Sequence, residues 1–193
     1  MKKLLGMIFI ILGLIIVSYP HMKKIKNEKI QQEIVESIQE TQEAKKDIKE
    51  EVDLPKFENN NVTDILKIEK IDVLLPILED ATKENLNIGP CRILETKRPG
   101  EIGNCAIAGH RSYNYGKQFN RLDEIELGDK IQVISKEKNY IYTVNNKFIV
   151  KPEDIWVLEG NDHDKIITLI TCTPIKVGTH RLIIQGIIDN ELD

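Results

Sequence analysis

The chain is expected to fold as a mainly β domain, a barrel or a sandwich, behind an apolar amino-terminal segment and a charged spacer. Three observations carry that expectation. After Pro55, short runs rich in β-branched and aromatic residues recur at close intervals, Gly punctuates them, and the helical signals between them are only a turn or two long.

The elements follow in chain order. From Leu4 to Tyr19 the sequence reads LLGMIFIILGLIIVSY, sixteen residues without a charge behind Met1-Lys2-Lys3. As a helix this segment spans about 24 Å, shorter than the roughly 30 Å hydrocarbon core of a bilayer, so it suits a short anchor or a signal peptide. A cleaved signal calls for small residues at its end, but Ser18-Tyr19-Pro20-His21-Met22 follow. The expectation is an uncleaved single-pass anchor over residues 1–20. Lys23, Lys24, Lys26 and Lys29 outnumber the lysines before it, so basic residues alone would favour a cytoplasmic domain.

Residues 21–51 contain no Gly or Pro and are mostly Lys, Glu, Gln and Ile, good or tolerable helix formers. Ile30, Ile34 and Ile38 place a thin apolar stripe on one helix face, too narrow to demand a partner, and a solvated stalk is expected. From residue 52 to 193 the folded domain begins. Strands are expected at Ile65–Ile71, Val73–Leu78, Cys105–Ala108, Lys130–Ser135, Tyr140–Val150, Ile166–Cys172 and Leu182–Ile188, seven in all. Thr82 is placed to cap a turn running to Leu86, and Phe119–Ile125 suits another.

Composition excludes several functions. A chain of 193 residues, 41% apolar and 30% charged, has room for one substantial core and not two. Residues 52–193 carry 18 Lys and Arg against 23 Asp and Glu, a net of −5, which excludes a basic nucleic-acid platform. Cys91, Cys105 and Cys172 form no CxxC pair, so neither a zinc site nor a disulfide framework is expected. Buried free thiols are expected at Cys91 and Cys105. His163, between Asp162 and Asp164 in a polar stretch, reads as a solvated loop residue.

Three side chains suited to chemistry fall at strand ends. Cys172 closes Ile166–Cys172 and is followed by Thr173-Pro174, where a central strand cannot continue. His110 follows Cys105–Gly109 and by alternation shares a face with Ala106 and Ala108, whose small side chains leave room beside an imidazole. Arg181 opens the last strand. Each residue alone is ordinary: a buried Cys is usually core, a His structural and an Arg a surface charge.

The strings around them are more specific. Thr168-Leu169-Ile170-Thr171-Cys172 before Thr173-Pro174, Ala108-Gly109-His110-Arg111, and an Arg opening the terminal strand together resemble the sortases, membrane-anchored cysteine transpeptidases of Gram-positive bacteria. The resemblance extends to Ile68–Ile77 at the opening strands, Pro99–Asn104 before the His strand, Phe119 with Leu122 and Leu127-Gly128-Asp129, and Val150-Lys151-Pro152 with Asp154. It implies a closed β-barrel of seven to eight strands with short helices. It also implies Cys172 as nucleophile, His110 as proton-transfer partner and Arg181 as the group that orients substrate and stabilises developing charge. The expected donor is an LPXTG-like sorting peptide cleaved after Thr, and the acceptor an amine of a cell-wall precursor or of another protein. By the same resemblance Ile155, Val157 and Leu158 belong to the loop that covers the donor peptide, with Ala108 and Thr171 flanking the catalytic residues. Ordinary core packing accounts for those three loop residues equally well.

The resemblance further implies a cell-membrane enzyme with its catalytic domain outside. No cofactor is required; some sortases bind calcium, but no acidic ligand set is assigned to it here, and no metal site or nucleic-acid partner is expected. The compact class D form is favoured over a housekeeping or pilin-polymerising type. The rivals are a hydrolytic cysteine protease of the same fold and a non-catalytic peptide-binding barrel. A papain-like enzyme is disfavoured because there the Cys precedes the His, and here His110 precedes Cys172.

Overall fold

In a computed structural model, residues 62–114, 116–135 and 138–192 are described without a break, together with scattered helical positions between 7 and 36. The anchor expected over 1–20 and the stalk expected over 21–51 lie largely outside the described residues. Among the described residues, no helix is long and apolar enough to cross a membrane.

Eight strands close into a barrel: β1 (Val62–Ile68), β2 (Val73–Glu79), β3 (Cys91–Arg92), β4 (Gly103–Ala108), β5 (Lys130–Ile134), β6 (Asn139–Val150), β7 (Lys165–Thr173) and β8 (His180–Leu192). Round the barrel the order is β1-β2-β3-β4-β7-β8-β6-β5, and β5 pairs back onto β1. Two seams are parallel, β2 with β3 and β4 with β7; the others are antiparallel. Among the described residues closure pairs each strand on both sides, and inward residues of every strand but β3 share one core. Leu66, Ile77, Ile107, Val133, Tyr142 and Leu169 meet there, all buried. Tyr142 carries the one polar atom of that group of side chains, and its hydroxyl accepts a hydrogen bond from the Gly100 amide at 2.9 Å.

The first expected strand is corrected at both ends. It starts earlier, at Val62, and stops at Ile68; Glu69–Ile71 form a 3-10 turn ending at Asp72, whose φ of 53° lies in the left-handed region that Asp tolerates. Alternating apolar residues run through this turn because Ile71 still points into the core. The turn after Thr82 is present as α1 (Lys83–Leu86), with the Thr82 hydroxyl accepting from the Asn85 amide at 3.2 Å. Of the stretch Phe119–Ile125, Leu122–Glu124 is a 3-10 turn.

The contact-free spacer expected from the narrow isoleucine stripe does not hold at Ile30. That side chain packs against two apolar patches on the barrel wall, one around Ile65 and Ile134, the other around Leu78, Ile88 and Cys91.

Candidate active site

Register alone brings the candidate residues together. In the antiparallel β7–β8 ladder Cys172 stands directly opposite Arg181, so the thiol and the guanidinium leave the sheet on one face. In the parallel β4–β7 seam the last pair is Ala108 with Ile170, and His110 and Cys172 each lie two residues beyond it on their own segment. Two hydrogen bonds hold the backbone just before His110 against β7: the Gly109 amide donates to the Ile170 carbonyl at 3.0 Å, and the Thr171 hydroxyl donates to the Gly109 carbonyl at 2.8 Å. Beyond it, the His110 carbonyl accepts from the Phe119 amide at 3.2 Å, leaving the imidazole exposed.

Gly109 is fixed by close approach. A Cβ there would sit 2.6 Å from Cδ2 of Phe119, a ring with no exposure of its own. Gly178 plays a different part in the β7–β8 turn. Its φ of 65° favours glycine, and a Cβ would lie 3.9 Å from the Cys172 sulfur, so the turn folds over the thiol at van der Waals distance. The same turn orients the guanidinium: Arg181 Nη1 donates to the Gly178 carbonyl at 3.1 Å and to the His180 carbonyl at 3.0 Å. The Thr173–Pro174 peptide at the end of β7 is cis.

The three cysteines separate cleanly by environment. Cys91 and Cys105 are buried free thiols; burial pushes the Cys91 thiol up to about 12 and raises Cys105 further still. Cys172 is only partly buried, open to a reactant.

The expected flanking residues take several places. Thr171 is buried and its hydroxyl is committed to Gly109, whereas Ala108 is partly exposed. In the 3-10 turn Ile155–Leu158, Val157 is buried and packs with Val150, Ile183, Phe148 and Ile170, with Leu158 at the edge of that cluster. Ile155 and Trp156 are exposed, and the Trp156 ring stacks on Phe148 with centroids 5.5 Å apart. Exposed Ile155 and Trp156 lie on the β6–β7 connection, and exposed Val177 lies on the β7–β8 turn over the thiol.

Arg111 belongs to the site and was not singled out by sequence reasoning. Its side chain is 6% exposed, Nη1 donates to the Thr173 hydroxyl at 2.9 Å, and Nη2 pairs with Asp123 at 2.8 Å. It ties the segment after β4 to the end of β7, beside both His110 and Cys172. The available signal was its position immediately after His110.

Among the described residues no cluster of three or more His, Cys, Asp and Glu could hold a metal ion. His163 is exposed between Asp162 and Asp164, and its contact holds the Asp162 carboxyl below the usual range. Chemically, a reachable thiol has a fixed guanidinium across the ladder, and an exposed imidazole lies just past the end of the neighbouring seam. Such a set suits nucleophilic attack on a carbonyl followed by proton transfer to a leaving amine.

Known proteins share this arrangement of strands and sequence. A family model, the sortase domain, matches residues 66–188. The chain is 28% identical to Sortase D of Bacillus subtilis over 96% of its own length and 98% of that protein's. It is 27% identical to Sortase A of Bacillus anthracis over 95% of its length and 92% of the relative's. Among solved structures, a Sortase D5 transpeptidase of Clostridium perfringens superposes with a TM-score of 0.65 at 29% identity, covering 85% of this chain and 98% of the other. Sortase A of Corynebacterium diphtheriae superposes with a TM-score of 0.66 at 29% identity, covering 70% and 63%. The family model covers well over half of the chain and the eight-stranded closed barrel agrees with it: the chain belongs to the sortase family of cysteine transpeptidases.

Proposed function

We propose that the protein is an extracytoplasmic transpeptidase, anchored by residues 1–20, that cleaves an LPXTG-like sorting signal after Thr and passes the acyl group to a cell-wall amine. The Cys172 thiolate attacks the Thr carbonyl carbon, and the carbonyl electrons move to oxygen, where Arg181 and backbone N–H groups stabilise the oxyanion. Collapse breaks the C–N bond, His110 as imidazolium protonates the departing amine, and a thioester to Cys172 remains. An incoming amine gives a proton back to His110, attacks the thioester, and releases Cys172 with a new amide. Ile155 and Trp156 supply an apolar wall for the Leu-Pro part of the donor, with Val157 and Leu158 packed beneath them. The observation that carries the reading is the cross-strand pairing of Cys172 with Arg181, next to the β4–β7 seam that His110 follows. The chain's match to nearly the full length of Bacillus subtilis Sortase D and Clostridium perfringens Sortase D5 favours a class D type.

The test mixes the full chain in detergent micelles with a quenched Leu-Pro-X-Thr-Gly peptide panel and an amine, wild type against Cys172→Ala. Thioester and ligated product in the wild type alone are expected. Hydrolysis without ligation at saturating amine would favour a protease, and no thioester with any peptide would sink the catalytic reading. Protease treatment of intact protoplasts checks topology: a protected barrel contradicts an external domain.

A further inference from the structure

The carboxamide of Asn104 is buried on β4 and engaged with groups from two other segments, the β6–β7 connection and β7. Asn104 is 2% exposed. Its Nδ2 donates to the Val157 carbonyl at 2.9 Å and to the Glu159 carbonyl at 3.2 Å, and its Oδ1 accepts from the Thr168 hydroxyl at 2.8 Å. Thr168 on β7 is itself fully buried and accepts from Gln185 Nε2 on β8 at 3.2 Å. One chain of hydrogen bonds therefore runs from β8 through β7 and β4 to the β6–β7 connection. A buried amide offers two donors and an acceptor that all need partners, and the carbonyls ending a one-turn helix need donors that the helix cannot supply. Asn104 meets both requirements at once.

Packing repeats the attachment. A Cβ at Gly160 would stand 2.6 Å from the Asn104 nitrogen and 2.7 Å from Gly103 Cα, so the connection lies with its backbone directly on β4. Asn104 is level with Ile166 near the start of β7, six residues short of Cys172. The clamp thus grips the returning half of the connection at the far end of the β4–β7 seam from Cys172.

We infer that Asn104 is a positioning residue whose carboxamide holds the Ile155–Leu158 turn in place, so that the wall for the donor peptide is formed before any peptide binds. The peptide-binding part of this inference rests on the proposed function; the anchoring part does not. Asn104 touches no substrate and acts through Val157 and Glu159. Its loss should therefore weaken peptide binding and leave the bond-making steps alone.

Trp156 is the only tryptophan of the chain and lies in the anchored turn, so its fluorescence reports on the wall directly. Two variants of nearly unchanged shape are compared with wild type as full chains in detergent micelles. Asn104→Asp replaces the donating NH2 with an oxygen facing two carbonyls; Thr168→Val removes the hydroxyl that orients the carboxamide. For Asn104→Asp the expected results are lower Trp156 anisotropy, an acrylamide quenching constant raised about twofold, and a donor-peptide KM raised about tenfold with kcat within about twofold. Thr168→Val should move all three in the same direction by less. A folded Asn104→Asp protein with wild-type anisotropy and quenching would overturn the inference; if that variant does not fold, Thr168→Val decides by the same readouts. A loosened Trp156 with unchanged KM would overturn the peptide-binding part. Were the wild type to process no peptide, the fluorescence comparison would still decide the anchoring.

Discussion

Gly109→Ala is the substitution that reads the site most directly. The added methyl would lie 2.6 Å from Phe119 Cδ2 and 2.7 Å from Cε2, whereas ordinary contact begins at 3.4 Å, so the backbone or the ring must yield by about 0.8 Å. Phe119 is fully buried among core side chains, so the backbone yields. A shift of that size stretches the 3.0 Å Gly109–Ile170 bond past hydrogen-bonding range and carries His110 away from Cys172. Overpacking of this kind costs about 1–3 kcal/mol, which in a chain of this length lowers Tm by about 3–10 °C. Misplacing a catalytic group by about 1 Å costs about a hundredfold in kcat. Gly116→Ala is the control, since nothing lies within 4 Å of its Cβ and only its left-handed φ is strained. The assays are thermal unfolding by circular dichroism and transpeptidation with a cleavable peptide. A Gly109→Ala enzyme with wild-type kcat and a Tm within about 2 °C would refute the idea that this glycine sets the position of His110.

Other expectations follow from burial and charge. Iodoacetamide at pH 7.5 should add one label per native chain, at Cys172, because the Cys91 thiol ionises only near 12 and Cys105 higher still; intact mass spectrometry counts the adducts, and three under native conditions would contradict it. Burial raises the Asp64 carboxyl, so its folded pKa exceeds the unfolded value: any stability from this group is present below about pH 4 and is lost as pH rises through the folded value. Asp64→Asn should therefore gain Tm over wild type at pH 7–8 and show no gain at pH 3.5; a gain that grows as pH falls would reverse the sign. Arg111→Met should cost about 1–3 kcal/mol by freeing Thr173 and Asp123, with Arg111→Lys recovering part of it, measured by urea unfolding.

Much of the barrel was legible because its strands bury one face, and alternation reports burial. Seven of the eight strands were placed within a few residues of their observed bounds. The missing one, β3, is two residues long and has no period to detect; it pairs with β2 and β4 through its backbone, and its Arg92 guanidinium pairs with Glu79 at 2.6 Å across the β2–β3 seam. The error at Ile65–Ile71 has the same root, since alternation cannot distinguish a strand from a turn that keeps its isoleucine in the core. Cys172 and Arg181 were legible as strand ends, but their pairing depends on the β7–β8 register. The contacts of Asn104 and Arg111 are not legible in the strings that contain them, because their partners lie 53 and 62 positions away along the chain. A lone polar residue carries no local sign of such contacts.

The parallel seam between β4 and β7 has a consequence for how the molecule comes into being. Its paired residues, from Gly103 with Lys165 to Ala108 with Ile170, are separated by about sixty positions, and everything between them must be made before they can meet. Pairings over such distances form late and slowly, because the intervening loop must close first. The exposed imidazole and the reachable thiol therefore belong to separate stretches of chain until β5, β6 and β7 are in place, and the guanidinium joins only with β8. A partly emerged chain holds the imidazole without the thiol, and then both without the guanidinium, so the full set and the finished barrel arrive together.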